Sequence, residues 1–250
     1  MKKYLLEEMT WEEAQDKFKE TDIAILPVGS LEQHGTHLPL STDAFDAYWV
    51  AKESVKKVSP PKPVVLPPIN YGMSYHHMGF PGTISLAPET LISVVYDIGG
   101  SLFTHGVKKL IIVNGHGGNT PALTCAAQRL AYDKNLLVFI DSGEIASKER
   151  KEIFKTPNDV HSGEYETSTS LANREQLVQL DKAVKEQIEF PTPYFGWVAA
   201  NRIPWTFKTD ELSKSGVLGD ATIASKEKGV KLWEAHTKNL AEVIEQIKKL

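Results

Sequence analysis

Apolar positions along the chain follow two patterns that take turns. Short unbroken runs, Ile23 to Leu26, Val64 to Leu66, Lys109-Leu-Ile-Ile-Val113 and Leu136 to Ile140, have the length and β-branched content of buried strands. Between them apolar residues recur at helical spacing. Thr10 opens an amphipathic segment from Trp11 to Lys19, with Glu13 placed to close a capping box. Ala44, Ala47, Val50, Ala51 and Val55 mark a helix from Asp43 to about Val58. Pro88-Glu89 starts another, to about Phe103, with proline in the first turn where its missing N–H costs nothing. Thr120-Pro-Ala-Leu starts a third that ends near Lys134, and a shorter helical stretch runs through Leu171 and Ala172. The finish, Ile223 to Leu250, alternates Val230, Leu232, Trp233, Leu240, Val243, Ile244 and Ile247 with charges and reads as a long amphipathic helix. Residues from Gln187 to Gly219, rich in proline, glycine and aromatics, read as irregular.

This alternation predicts an α/β fold, a three-layer αβα sandwich around a mostly parallel central sheet. With no repeat, low-complexity tract or linker in the sequence, residues 1–250 are expected to form a single domain. In parallel sheets ligands bind at the carboxyl ends of the strands, and three polar clusters belong there. The first, Leu26-Pro-Val-Gly-Ser-Leu-Glu-Gln-His-Gly-Thr-His-Leu-Pro-Leu-Ser-Thr-Asp43, carries Glu32, His34, His37 and Asp43. The second is His116 in Asn114-Gly-His-Gly-Gly-Asn119; the third, His161-Ser-Gly-Glu-Tyr-Glu-Thr-Ser168, holds His161, Glu164 and Glu166. Carboxylates and imidazoles are the donors that Zn²⁺ or Mn²⁺ accepts. Two divalent ions sharing a carboxylate and a water would use this many donors together. Sharing lowers the pKa of that water, supplies hydroxide at neutral pH and implies hydrolysis. The competing readings are a solvated polar loop for the first cluster and a phosphate-cradling turn for the second, although the second lacks a lysine or Walker pattern.

Other candidates carry less. His37 is expected to bind metal or to hydrogen-bond a ligand. His76 and His77 lie in a long loop, Pro67 to Pro88, and are expected to line the pocket or touch a neighbouring subunit. His105 reads as a helix C-cap, and His236, among Lys and Glu, as solvated surface. Cys125, the only cysteine, excludes an intrachain disulfide, fits a reducing cytoplasm and suits a buried packing position.

Composition narrows the partners. At 41% hydrophobic and 24% charged, the chain is ordinary for a soluble protein, and a formal net charge of −4 offers no basic surplus for nucleic acid. No apolar run approaches the length of a bilayer span, and the amino terminus lacks the apolar core of a signal peptide. A small-molecule substrate, no nucleic acid, no membrane and a cytoplasmic location are expected.

The three clusters resemble the signatures of the creatininase (creatinine amidohydrolase) family, in the same order, over about residues 5 to 245. The resemblance implies that Glu32 and His116 bind one metal and His34 the other, that Asp43 bridges them, and that His161 faces the substrate and passes a proton to the leaving nitrogen. The chain departs from creatininase where that enzyme has a metal-binding glutamate two residues after the central histidine; here the position is Gly118. Members with the Gly-Gly form take the carboxylate from the third signature, which points to Glu166, with Glu164 in reserve. Glu166 therefore stands with His161 in the expected catalytic set and with Glu32, His34, Asp43 and His116 in the metal set. Zn²⁺ and/or Mn²⁺ are the implied ions, with Fe²⁺ admissible.

Creatininase also covers creatinine with tryptophans shortly before its third signature, whereas no tryptophan lies between Trp49 and Trp197 here. That weakens creatinine and favours a formamide, a cyclic amide or a small peptide-like bond. The expected function is a metal-dependent amidohydrolase in which a bridging hydroxide on two divalent ions cleaves a non-peptide C–N bond. The alternatives are C–C hydrolysis of an oxidised inositol, known among relatives, and a metal- or ligand-binding member without turnover. A serine hydrolase is disfavoured because no Gly-x-Ser-x-Gly elbow is present. The resemblance also implies a homohexamer, and the Pro-rich aromatic segment from Phe190 to Trp205 is the expected subunit contact.

Overall fold

The computed structural model describes residues 3–196 and 203–250. Its elements follow the predicted alternation: α1 (Trp11–Glu20), β1 (Ile23–Val28), α2 (Thr42–Lys57), β2 (Val64–Val65), α3 (Pro88–Thr104), β3 (Lys109–Asn114), α4 (Thr120–Lys134) and β4 (Leu137–Asp141). The strands form a parallel sheet in the order β2-β1-β3-β4. After it come α5 (Ser147–Ile153), α6 (Glu164–Arg174), α7 (Thr209–Leu212) and α8 (Lys226–Ile247). Two pairs of two-residue strands, Lys185–Glu186 with Gly219–Asp220 and Phe195–Gly196 with Ile203–Pro204, lie apart from the sheet.

Alternation along the strands builds the layers. Ile23, Ile25, Ile111 and Val113 face one side and pack on α2 and α8 through Val50, Val55, Trp233 and Ile244. Ala24, Leu26, Leu110 and Ile112 face the other and pack on α3 and α4 through Leu91, Val95, Leu123 and Leu130. Because β1 and β3 are buried on both faces, nearly every residue in them is apolar. Fully burying each such side chain stabilises the fold by roughly 1.5–3 kcal/mol.

The predicted caps are present. Thr10 Oγ1 accepts from Glu13 N at 3.3 Å while Glu13 Oε2 accepts from Thr10 N at 2.8 Å. Pro88 occupies the first turn of α3, and His105 is its C-cap.

Two expectations change, and one helix is new. His236 is buried, with Nε2 2.8 Å from Asp141 Oδ2 at the end of β4. It lies on the sheet-facing stripe of α8 with Leu232, Trp233 and Leu240, while the neighbouring charges occupy the opposite face. Cys125 is exposed, because α4 buries Ala122, Leu123 and Ala126 instead. Ser147–Ile153 forms a helix that its charge-rich sequence does not announce.

The expected contact segment divides. Phe190 and Trp205 pack on Ile188, Phe207 and Leu218, Tyr194 and Ile203 are exposed, and residues 197–202, Trp197 among them, lie outside the described residues. No helix among the described residues is long and apolar enough to cross a membrane.

Candidate metal centre

The register of the sheet places two of the clusters side by side. Val28 pairs with Asn114, so β1 and β3 end level and release their loops at the same edge. The start of α2 lies directly on these ends. A Cβ at Gly29 would come 2.2 Å from Ala44 Cα, and one at Gly115 would come 2.2 Å from Asp43 O. Only glycine at both positions lets α2 approach this closely and bring Asp43 over the strand ends. A carboxylate in the first turn of a helix is favoured by the helix dipole.

Asp43 offers one oxygen to each of two histidines: Oδ1 lies 3.0 Å from His34 Nε2 and Oδ2 lies 3.2 Å from His116 Nδ1. Glu32 Oε2 lies 3.3 Å from His116 Nε2 and accepts from the Ser74 hydroxyl. From α6, Glu166 Oε2 reaches within 3.7 Å of His34 Nε2 and 3.9 Å of His161 Nδ1. His161 Nδ1 is 3.7 Å from Glu32 Oε1. The expected donors Glu32, His34, Asp43, His116, His161 and Glu166 therefore lie together, with Glu32 and His34 fully buried.

Glu164, two residues away, faces elsewhere. Its Oε2 accepts from Lys155 N at 2.9 Å and Thr156 N at 2.8 Å, and its Oε1 accepts from Lys228 Nζ at 2.6 Å. Its lone pairs are used in holding α6 to α8 and the preceding loop. At Gly118 a Cβ would lie 2.3 Å from His116 Nε2 and 2.5 Å from Met73 O, so this backbone leaves no room there for a carboxylate.

Each of three histidines is anchored on a backbone carbonyl. His34 Nδ1 is 3.1 Å from Glu32 O, His116 Nε2 is 3.1 Å from Met73 O and His161 Nε2 is 2.8 Å from Gln33 O. A carbonyl can only accept, so the anchored nitrogen carries a proton and the other is left to face the carboxylates, the nitrogen whose lone pair a cation would claim on displacing its proton. Carbonyl anchoring of this kind orients histidines that bind metal.

Charge balance points the same way. Burial disfavours a proton on His34, but Asp43, Glu166 and Glu32 outweigh it and raise its pKa to about 10. Burial likewise opposes protonation of His116, yet Glu32 and Asp43 hold its pKa well above the ordinary range. Burial, then the neighbouring His34, lowers the pKa of His161. A field that draws protons to buried imidazoles also draws a divalent cation. Glu32 Oε1 and Asp43 Oδ2 are buried and meet His161 and His116 only as ion-pair contacts, not in hydrogen-bond geometry, which is costly unless a cation satisfies them. Four sets of donors, each within 4.8 Å, arise from these residues with His76 and His77. The residues present fit divalent metal.

His37 is buried, its Nε2 2.7 Å from Thr167 Oγ1, and it belongs to none of these four sets. Ser74 and the contact of His77 with Glu32 have no sequence signal beyond the length of the loop that carries them, and Gln33 none beyond its place between Glu32 and His34.

A parallel α/β sheet with a buried carboxylate–imidazole cluster at the carboxyl ends of its strands defines a metal-dependent hydrolase. The chain belongs to the creatininase family, whose model, described as creatinine amidohydrolase, matches residues 7–244. It is 33% identical to the mycofactocin precursor peptide peptidase of Mycolicibacterium smegmatis, over 90% of this chain and 85% of that protein. It is 30% identical to the creatinine amidohydrolase of Pseudomonas putida, over 96% and 95%, and 27% identical to the 3-dehydro-scyllo-inosose hydrolase of Thermotoga maritima, over 96% and 82%. A crystal structure of creatininase superposes with a TM-score of 0.86 at 27% identity, covering 99% of each chain. A manganese creatininase and a Zn–Zn creatininase variant each superpose at 0.82 with 28% identity, covering 99% of both chains.

Proposed function

We propose that this chain is a two-metal amidohydrolase that cleaves a non-peptide C–N bond of a small molecule, of the cyclic-amide or formamide type. The observation that carries the reading is the pair of buried carboxylate oxygens without hydrogen-bond partners, Glu32 Oε1 and Asp43 Oδ2, among imidazoles whose unanchored nitrogens face inward. Glu32 and His116 would hold one ion, His34 and Glu166 the other, and Asp43 both. Divalent cations held there would supply a water ionised near neutral pH and a Lewis acid for the substrate carbonyl. Manganese and zinc forms among the similar creatininase structures support either ion.

The chain's own groups do the rest. His161, anchored through Nε2–H on Gln33 O, presents Nδ1 as the acceptor that takes the proton of the attacking water. The same nitrogen then returns it to the departing nitrogen, which would otherwise leave as an unstable anion. The burial of the cluster excludes bulk water and strengthens these charge interactions.

A second reading is cleavage of a peptide bond. The similarity to the mycofactocin precursor peptide peptidase over 90% of the chain favours it. Metal-reconstituted protein offered cyclic amides, formamides, short peptides and cyclic ketones, with ammonia, formate, amine and new carboxylate followed, separates these readings. Turnover of peptides alone would replace the first with the second. No turnover despite two bound ions would leave a binding protein. As part of the same proposal the protein works as one domain over residues 1–250, in the cytoplasm, as a homohexamer.

A further inference from the structure

His77 has the opposite hydrogen-bond polarity to the three anchored histidines. Its Nδ1 lies 2.8 Å from Gln33 Nε2. The Gln33 amide cannot be turned over, because Oε1 accepts from Gly35 N at 2.9 Å and Nε2 donates to Gly216 O at 3.1 Å. Both partners are backbone groups of fixed sense. Gln33 Nε2 therefore meets His77 as a donor, and His77 Nδ1 must accept with its lone pair. An imidazole bare at Nδ1 carries its proton on Nε2. That Nε2 lies 3.4 Å from Glu32 Oε1, one of the two partnerless buried oxygens. The ring is 2% exposed and sits between His161 and His76, with centroids at 4.2 and 4.1 Å.

We infer that His77 is not a metal ligand but a positioning residue, an N–H donor fixed in that tautomer by Gln33, which restrains the Oε1 side of Glu32. Glu32, His77 and His161 lie close enough to suggest a third cation site, but a protonated nitrogen has no lone pair to give. The Ser74 hydroxyl donates to Glu32 Oε2, and His77 Nε2 stands 3.4 Å from Oε1, too poorly aligned for a hydrogen bond here but close enough to act on the carboxylate electrostatically from its other side. Carboxylates that bind metal are commonly held by outer donors, and Ser74 and His77 would share that task when an ion draws Glu32 into place. The inference rests on the two-metal reading but concerns the location of a proton, which is measured separately.

The test is long-range ¹H–¹⁵N correlation on the unmodified protein with ¹⁵N-labelled histidine, chelator-stripped and zinc-loaded. His77 is assigned by the resonances missing from His77→Gln. The expected result is an unprotonated Nδ1 and a protonated Nε2 in both states, while His34 and His116 shift on loading. Loss of the Nε2 proton on zinc loading, or a protonated Nδ1, would overturn the inference. Zinc titration of two variants supplies a second readout. His77→Leu should weaken binding about 10–100-fold, and His77→Gln, which restores an N–H near the Nε2 position, should recover most of that loss. Equal loss in both folded variants would count against a donor role. If the unmodified protein binds no zinc, the two-metal reading fails, whereas the tautomer is still read from the stripped sample.

Discussion

Exchanging the carboxyl group of Glu166 for an amide removes one charge from the centre while leaving side-chain volume nearly unchanged. Glu166 Oε2 is 3.7 Å from His34 Nε2, and its side chain is 19% exposed. At an effective dielectric near 20, a unit charge at that separation contributes about 4–5 kcal/mol. Glu166→Gln should therefore weaken the ion shared with His34 by about a thousandfold, each 1.4 kcal/mol being a factor of ten. Turnover should fall to near background, since that ion would be lost on dilution. Glu164→Gln is the matched control. Its carboxylate accepts from Lys155 N, Thr156 N, the Thr156 hydroxyl and Lys228 Nζ, so the amide would face donors with a donor. The cost there, about 2–4 kcal/mol, should appear as a lower Tm with both ions retained. Elemental analysis after gel filtration, chelator competition and a thermal melt read all three quantities. Two tightly held ions in Glu166→Gln, with one in Glu164→Gln, would refute the reasoning and exchange the two glutamates.

Other outcomes follow from the same structure. Arg174, fully buried, donates to Asp46 Oδ1 at 2.8 Å and to Thr42 O at 3.0 Å, so Arg174→Met should cost roughly 3–5 kcal/mol in urea unfolding; a loss under 1 kcal/mol would mean the pair does not brace the start of α2. Burial opposes ionisation of Glu186, but hydrogen bonds from Ser215, Lys214 and Ser213 hold its pKa at about 2 against 4.5 for the free side chain. A lowered carboxylate pKa means stability present above pH 4.5 and lost as pH falls toward 2, so Glu186→Gln should flatten the acid limb of the stability profile in that window. Light scattering should find a hexamer, and a monomer at working concentration would reject the assembly.

The strands and the grouping of Glu32, His34 and Asp43 are legible because their signals are local. Apolar runs give β1 and β3, and Glu32, His34 and Asp43 lie within a dozen residues of each other on one loop and one helix start. His236 was misread because its neighbours in sequence are charged, although its spacing from Leu232, Trp233 and Leu240 already placed it on the buried stripe. The polarity of His77 had no local signal. It depends on an amide that Gly35 and Gly216 fix from different segments, and distant hydrogen bonds leave no periodic trace. Which of Glu164 and Glu166 faces the cluster depends on Lys228 of α8 and the Lys155–Thr156 turn, which surround the first from outside its own helix. Cys125 depended on which side of α4 meets the sheet, which the sequence around it, Ala122 to Ala127, leaves open.

A pair of ions sharing Asp43 would leave a direct signature in anomalous diffraction from crystals of zinc- or manganese-loaded protein, measured on both sides of the metal edge. Two peaks are expected, both touched by Asp43, one beside Glu32 and His116 and the other beside His34 and Glu166. A single peak that Asp43 does not touch would contradict it.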